Sequence, residues 1–263
     1  MRAESCPPPC EIPLDCAMIS WCSESNQSFV TLLSPNMRID CHTHTACHSA
    51  CASLKPRELV ELAQLRSIDG LVITEHRHQW TKEDMAPLRS LYPDMALYAG
   101  VEITLAEGYD VVVISPGLPE SIMAYPFIDA LMDAMEPMRE DVFLFVAHPF
   151  RYTNDLTPNL ARILEKVDGI EMNSMNLLRG GAQLTDQGYQ PQNSRCYAEA
   201  RKRFDLIPIW NTDAHHPPSV GAIATEFPNA EPWADEAELA HYLKTTPGKP
   251  YQSSLLIEQF LAE

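Results

Sequence analysis

Seven apolar stretches of strand character, most of them separated by helical patterns, constrain this chain more than any other feature. They read at 37–42, 70–76, 95–103, 110–115, 142–148, 169–173 and 207–212. Helical periodicity falls at 56–67, 81–91, 125–139, 157–166, 191–204 and, later, 235–244. Pro56 in the first turn and Leu59, Leu62 and Leu65 at helical spacing mark the first helix. Asp235, with Glu238 three residues on, marks the last as a capping-box-like start. Strands alternating with helices predict a parallel sheet covered by helices. At 263 residues, a closed or nearly closed TIM-like α/β barrel is the favoured form, with a doubly wound open sheet as the alternative. No G-x-G-x-x-G follows the first strand and no P-loop occurs, so nucleotide-cofactor readings lose their usual support.

Residues 1–36 lack sustained periodicity and are rich in Pro, Ser and Cys, so they read as a poorly ordered extension. The barrel is expected over 37–263, with Met37 a candidate natural start. Four of the eight cysteines (Cys6, Cys10, Cys16 and Cys22) fall in that extension. "CPPPC" suggests a zinc knuckle, but the spacing does not repeat and no histidine joins it. No apolar region follows Arg2, so neither an export signal nor disulfides are expected. With 36 acidic against 19 basic residues the formal charge is −17, a field that repels phosphate backbones and disfavours general nucleic-acid binding. No apolar run reaches the length of a membrane span, and the expected location is the cytoplasm.

The ends of the strands carry the chemistry. His42 and His44 end the first run, His76 the second and Glu102 the third. His148 ends "FVAH", and Asp213 with His215 follows "IPIWNT". In an α/β barrel the carboxyl ends of the strands meet on one face, where active sites are built. A side-chain period of two predicts Asp40, His42 and His44 on one side of their strand, with Cys41 on the other. Of nine histidines, only His78, His216 and His241 lie outside this constellation and its neighbour His48. Neutral imidazole and carboxylate suit divalent zinc, manganese or iron, and a carboxylate such as Glu102 can bridge two cations. Clustered cations activate water and clamp phosphate oxygens.

"DCHTHTACHS", "GLVITEH", "GVEI", "AHPFR" and "NTDAHHPPSVG" resemble, in order and spacing, the motifs of the PHP (polymerase and histidinol phosphatase) family over about residues 37–246. The resemblance implies a distorted (β/α)7 barrel, two or three divalent metal ions (Zn, Mn or Fe), and hydrolysis of a phosphate ester in a small phosphorylated molecule by a metal-bound hydroxide. It implies that His42, His44, Glu102 and Asp213 hold one metal, that Glu102 bridges to a second held with His148, and that His76 and His215 serve a third. His48 is the best match for a further ligand. Asp110 stands nearest to a histidine that three-metal members carry between "GVEI" and "HP", and that this chain lacks from 103 to 147. Two tightly held metals and one partly occupied site are therefore expected.

Asp213, Glu102 and His215 are the expected catalytic residues, and Arg151 the expected substrate-binding one, because a guanidinium can fork onto phosphate. A surface salt bridge is the competing role for Arg151. Glu75 is expected to orient an imidazole from outside the ligand set. Glu171 and Asn173 either reach the rim of the site or are structural. Two alternatives stay open: an amidohydrolase-type barrel acting on C–N or ester bonds, and a non-catalytic metal-binding barrel. Paired Asp213 and His215 favour the PHP-like reading over the first, and the near-complete ligand set argues against the second. Substrate identity and oligomeric state are not legible here.

Overall fold

The structure, a computed structural model, describes residues 36–263. The expectations for the N-terminal extension and its cysteines lie outside the described residues. The strands are β1 (Asn36–Thr43), β2 (Gly70–Ile73), β3 (Ala96–Thr104), β4 (Asp110–Ile114), β5 (Phe143–Ala147), β6 (Gly169–Asn173), β7 (Ala182–Thr185), β8 (Gly188–Pro191), β9 (Ile207–Trp210), β10 (Ile223–Pro228) and β11 (Lys249–Gln252). Nine of them form one sheet in the order β11-β10-β1-β2-β3-β4-β5-β6-β9, while β7 and β8 pair as a separate hairpin. A parallel bridge between Thr43 and Ala214, with His44 N donating to Ala214 O at 2.9 Å, joins the two sides of this sheet. The seven expected strands thus make a nearly closed barrel.

One strand departs from the parallel pattern. Strand β4 runs antiparallel to both β3 and β5. Only residues 105–109 separate it from β3, which is enough for a hairpin and far too few for a helical crossover. Strands β10 and β11, which the apolar runs do not reveal, add antiparallel to β1 outside the barrel circuit.

The helices are α1 (Pro56–Leu65), α2 (Lys82–Leu91), α3 (Ile128–Met135), α4 (Pro158–Leu164), α5 (Met175–Arg179), α6 (Ser194–Phe204), α7 (Glu236–Thr245) and α8 (Ser254–Leu261). Helix α1 buries Leu59, Val60 and Ala63, but Leu65 is 80% exposed. At ~100° per residue, Leu65 has turned ~240° from Leu59 and left the buried face. Helix α3 is shorter than its pattern. Pro126 and the left-handed Tyr125 (φ 48°) delay its start, and a 3-10 stretch over Glu136–Asp141 takes over its end. Helix α7 starts as expected, with the Asp235 side chain accepting from the backbone of Ala237 and Glu238, both at 3.0 Å. None of the described helices is long and apolar enough to cross a membrane.

Alternation along the strands sorts the core into an inner and an outer set. Leu71, Ile73, Leu97 and Ala99 pack under α1 and α2, while Val101, Val111, Leu144, Val146 and Ile170 pack under α3, α4 and α6. Cys41, Val72, Tyr98, Val112, Phe143, Phe145 and Ile209 fill the interior with Leu239, Ala240 and Leu243 of α7. Helix α7 therefore plugs one end of the barrel and leaves the other for polar side chains.

The loop after the last ligand motif is clamped from outside. Arg66 Nη1 donates to the carbonyls of Pro217 at 2.8 Å and Val220 at 2.5 Å. Gly221 beside it has φ +71°, and a Cβ there would lie 2.8 Å from Arg66 Cβ. Charge-assisted bonds of this kind contribute roughly 1.5–3 kcal/mol. Arg66→Ala is expected to lower stability by about that amount, read as a shifted midpoint in urea with an unchanged slope. An unshifted midpoint would show that the loop is held by its own turn.

Candidate metal centre

The β1 ligands depend on an irregularity. The register of β1 on β2 shifts between Asp40 and Thr43, so strict alternation breaks. Asp40 pairs in register with Leu71 of the outer set and hydrogen-bonds to Thr212, to its backbone N at 3.1 Å and to its hydroxyl. Cys41 joins the interior cluster that holds Phe145, and the His42 ring meets the same Phe145 edge-on at 6.4 Å between centroids. Cys41 and His42 therefore both turn inward. This corrects two expectations: Cys41 does not oppose His42, and Asp40 does not share its face. The bulge leaves apolar packing to Cys41 and frees His42 and His44 for the open end. Burial pushes the Asp40 carboxyl up to about 7, against the Thr212 bonds that lower it.

His42 Nε2 lies 3.5 Å from Glu102 Oε1 and 3.5 Å from Asp213 Oδ1. His44 Nε2 lies 3.4 Å from Glu102 Oε2 and 3.4 Å from Asp213 Oδ1. All four side chains are at most 2% exposed. His42 Nε2, His44 Nε2, Glu102 Oε2 and Asp213 Oδ1 are buried without a hydrogen-bond partner, although His76 Nδ1 stands 2.7 Å from that Oε2. Four buried polar atoms left without partners are costly unless something between them satisfies them. Bonds of 2.0–2.1 Å to a tetrahedral cation would space the ligand atoms by roughly 3.3–3.4 Å, close to what is seen. The donor set thus fits a divalent metal.

Ligand atoms come together in three overlapping groups: His42, His44 and Asp213; His42, Glu102 and His148; His44, His76 and His215. His148 Nε2 is 3.2 Å from Glu102 Oε1 and 3.9 Å from Asp213 Oδ2. His148 and Asp213 hold left-handed backbones, φ 32° and 52°, of the kind that cost of order 1–3 kcal/mol and gather at functional sites.

The electrostatics favour a cation at this point. Burial alone would lower His42, but Asp213, Glu102 and Glu171 overcome it and raise the imidazole well above its ordinary value. His148 is likewise desolvated and yet pushed up to about 9, chiefly by its bond to Glu102. Glu102 and Asp213, whose burial would raise them, are drawn well down by the facing imidazoles, His42 foremost. His44, fully desolvated, falls to about 4. The carboxylates that raise His42 and His148 equally favour the positive charge of a metal.

No protein-family model and no curated protein matches the sequence. Solved structures do match. PsfC from Pseudomonas syringae PB-5123 superposes with a TM-score of 0.58 at 16% identity, covering 86% of this chain and 96% of that one. A two-domain protein from Bacteroides vulgatus ATCC 8482, containing a predicted PHP-like metal-dependent phosphoesterase, superposes at 0.61 and 17% identity, covering 86% and 69%. A candidate metal-dependent phosphoesterase from Bifidobacterium adolescentis ATCC 15703 gives 0.50 at 14%, covering 85% and 95%. The chain has the PHP-type fold. At these identities the likeness concerns the fold, and the chemistry rests on this chain's own residues.

Within this PHP-type fold, seven of the expected ligands converge: His42, His44, His76, Glu102, His148, Asp213 and His215. Two do not join the groups. His48 lies in the turn after β1, its ring stacked on His78 at 3.6 Å between centroids and edge-on to Trp80. Asp110 sits across from Thr104 in the β3–β4 hairpin, two residues beyond Glu102. That is ~7 Å further along the strand than Glu102. Arg151 is exposed, with its guanidinium 5.2 Å from the ring of Tyr152 and no ion pair among the described residues.

The supporting residues were less legible. Glu171 Oε1 is 3.0 Å from His42 Nδ1, and its Oε2 accepts from His148 N at 2.9 Å, so one carboxylate aims two ligands. Glu75 acts at one remove. Ser49 Oγ donates to Glu75 at 2.5 Å and meets His44 Nδ1 at 3.3 Å. Asn176 Nδ2 donates to Asp213 Oδ2 at 2.7 Å from α5, an element the sequence pattern does not announce. Glu171→Gln is expected to weaken metal binding roughly 10–100-fold while the fold persists. The amide must turn its NH2 either toward the His148 N–H or toward His42 Nδ1, and loses one acceptor each way. Unchanged affinity in a competitive chelator titration would demote Glu171 to packing.

Proposed function

We propose that the chain is a PHP-family metal-dependent phosphoesterase that hydrolyses a small phosphorylated molecule. The observation that carries this reading is the set of four orphaned, buried ligand atoms at the open end of the barrel, with His42 Nε2 and His44 Nε2 at 3.5 and 3.4 Å from Asp213 Oδ1 and His44 Nε2 at 3.4 Å from Glu102 Oε2. Divalent ions bound there would activate water and neutralise charge on phosphoryl oxygens. The chain's own part is positional. Glu102, with one oxygen toward His42 and His148 and the other toward His44 and His76, ties neighbouring ligand groups together. Asp213 supplies a carboxylate to the same point, held by Asn176. His215, with Nδ1 at 3.0 Å from Asp213 O and 16% side-chain exposure, would hold an ion with His44 and His76 at the more exposed side of the centre.

The ligands lie between residues 42 and 215, so we place the working unit in the barrel and expect the first 36 residues to be dispensable for it. The test is a screen of phosphorylated metabolites, with lactones and amides alongside, after loading with Mn²⁺, Zn²⁺ or Fe²⁺. Turnover of phosphate esters that stops on chelation supports the proposal. Turnover confined to lactones or amides would replace it with the amidohydrolase-type reading. Tight metal binding without turnover would favour a binding barrel.

A further inference from the structure

Among the described residues, seven other than glycine have left-handed φ: Ser67, Arg77, Tyr125, His148, Asp205, Asp213 and Asn229. Ser67 and Asp205 follow helix ends and Asn229 follows a strand end, where such a backbone needs no special explanation. His148 and Asp213 are in the ligand groups. The remaining two touch each other: the Arg77 guanidinium lies 4.9 Å from the centroid of the Tyr125 ring. Arg77 (φ 55°) directly follows His76, and its N–H donates to Glu102 O at 2.8 Å, beside the residue that ties the ligand groups together. Strain held this close to a site, in two residues of different loops that meet, points to use rather than to a turn.

The charge of the guanidinium is also uncommitted. In a chain of formal charge −17, Arg38, Arg89, Arg139, Arg162 and Arg195 all have carboxylate partners. Arg77 has none among the described residues, and an aromatic face leaves its N–H edges free for another acceptor. Its shelf is fixed: Ala106 N donates to Pro126 O at 2.9 Å, and Ile128 N to Glu107 Oε1 at 3.0 Å, fastening Pro126 and Ile128 to the β3–β4 hairpin just after Tyr125. The shelf under Arg151 is Tyr152, its own sequence neighbour and 87% exposed. Of the two arginines that follow ligand histidines, Arg77 is the one held in place.

We propose that Arg77, supported by Tyr125, is a substrate-binding residue that takes anionic oxygens of the phosphoryl group at the edge of the metal centre. This rests on the phosphoesterase reading for its substrate, and only on the ligand groups for its place. A planar fork on a fixed shelf loses little freedom on binding and matches two oxygens at once.

The experiment titrates inorganic phosphate into the Mn²⁺-loaded protein by calorimetry and, where esters turn over, measures KM and kcat. Wild type should bind phosphate. Arg77→Ala should weaken that binding about tenfold or more and raise KM alike, with kcat within about threefold and metal content unchanged. Arg77→Lys should fall between, and Tyr125→Leu should lose part of the effect. Arg77→Gly removes the guanidinium while easing the positive φ, so it separates loss of binding from loss of fold. Arg195→Ala, on an exposed Arg195–Glu199 pair, controls for net charge and should change nothing. Arg77 variants that bind phosphate like wild type, or a wild type that does not bind it, would overturn the proposal. Phosphate binding that depends on Arg77 in a protein inactive on esters would instead overturn the hydrolytic reading and leave Arg77 as an anion site.

Discussion

Glu102→Gln should cost the protein roughly 10³-fold or more in kcat/KM on any phosphate ester it hydrolyses, about 4 kcal/mol of transition-state stabilisation, together with part of its metal. The change is nearly isosteric, so packing is not the cause. Glu102 Oε1 faces His42 and His148, at 3.5 and 3.2 Å, and Oε2 faces His44 and His76, at 3.4 and 2.7 Å. An amide keeps one oxygen and turns the other position into a donor with no lone pair for a cation. It also removes the charge that balances four imidazoles. His76→Ala makes the useful contrast, because His76 is 36% exposed at the rim and belongs only to the group with His44 and His215. It should lose less metal than Glu102→Gln. Elemental analysis of both variants beside wild type reads this even before a substrate is known. Full metal content in Glu102→Gln, with turnover within tenfold, would refute the bridging role.

That residue, like most of the ligands, is legible because the residue types needed for a metal recur at the carboxyl ends of apolar runs. Strand ends are set by local pattern, and a barrel gathers them whatever the distant sequence does. The parts not legible depend on geometry that no local pattern encodes. The bulge between Asp40 and Thr43 decides which side chains of β1 face inward, and the period-two rule assigns Asp40 and Cys41 wrongly as a result. Glu171 reads as a strand-end acid of uncertain use, yet its two oxygens serve His42 and His148 from across the barrel. Arg151 and Arg77 both follow a ligand histidine in sequence, and what separates them, φ and a ring from another loop, no local pattern encodes. The reversed β4 was within reach, since five intervening residues cannot cross over as a helix. Strands β10 and β11 were harder. Strand β11 has only four residues, and Pro228 and Pro250 dilute the pattern of both.

Stripping the metal should lower the melting temperature by roughly 5–15 °C, and the reason lies in what the empty cluster costs. Four buried polar atoms lack partners, each a penalty of about 1–3 kcal/mol, and buried Glu102, Asp213 and Glu171 face each other's charge through the imidazoles between them. A ligand that binds only the folded chain stabilises it by about 2.7 kcal/mol at a hundred times its dissociation constant and about 4.1 at a thousand times. For a barrel of this size each kcal/mol moves the melting temperature by about 2–4 °C. The comparison is calorimetric melting in excess Mn²⁺ or Zn²⁺ against melting after chelation. A His42→Ala/His44→Ala double variant is the internal control. It removes two of the four orphaned atoms and at least one ligand from each of the three groups, so its chelation shift should shrink to a few degrees, although its metal-free melting need not fall. Equal shifts in wild type and double variant would place the stabilising ion elsewhere. No shift in wild type would mean that these four atoms are satisfied by something other than a metal.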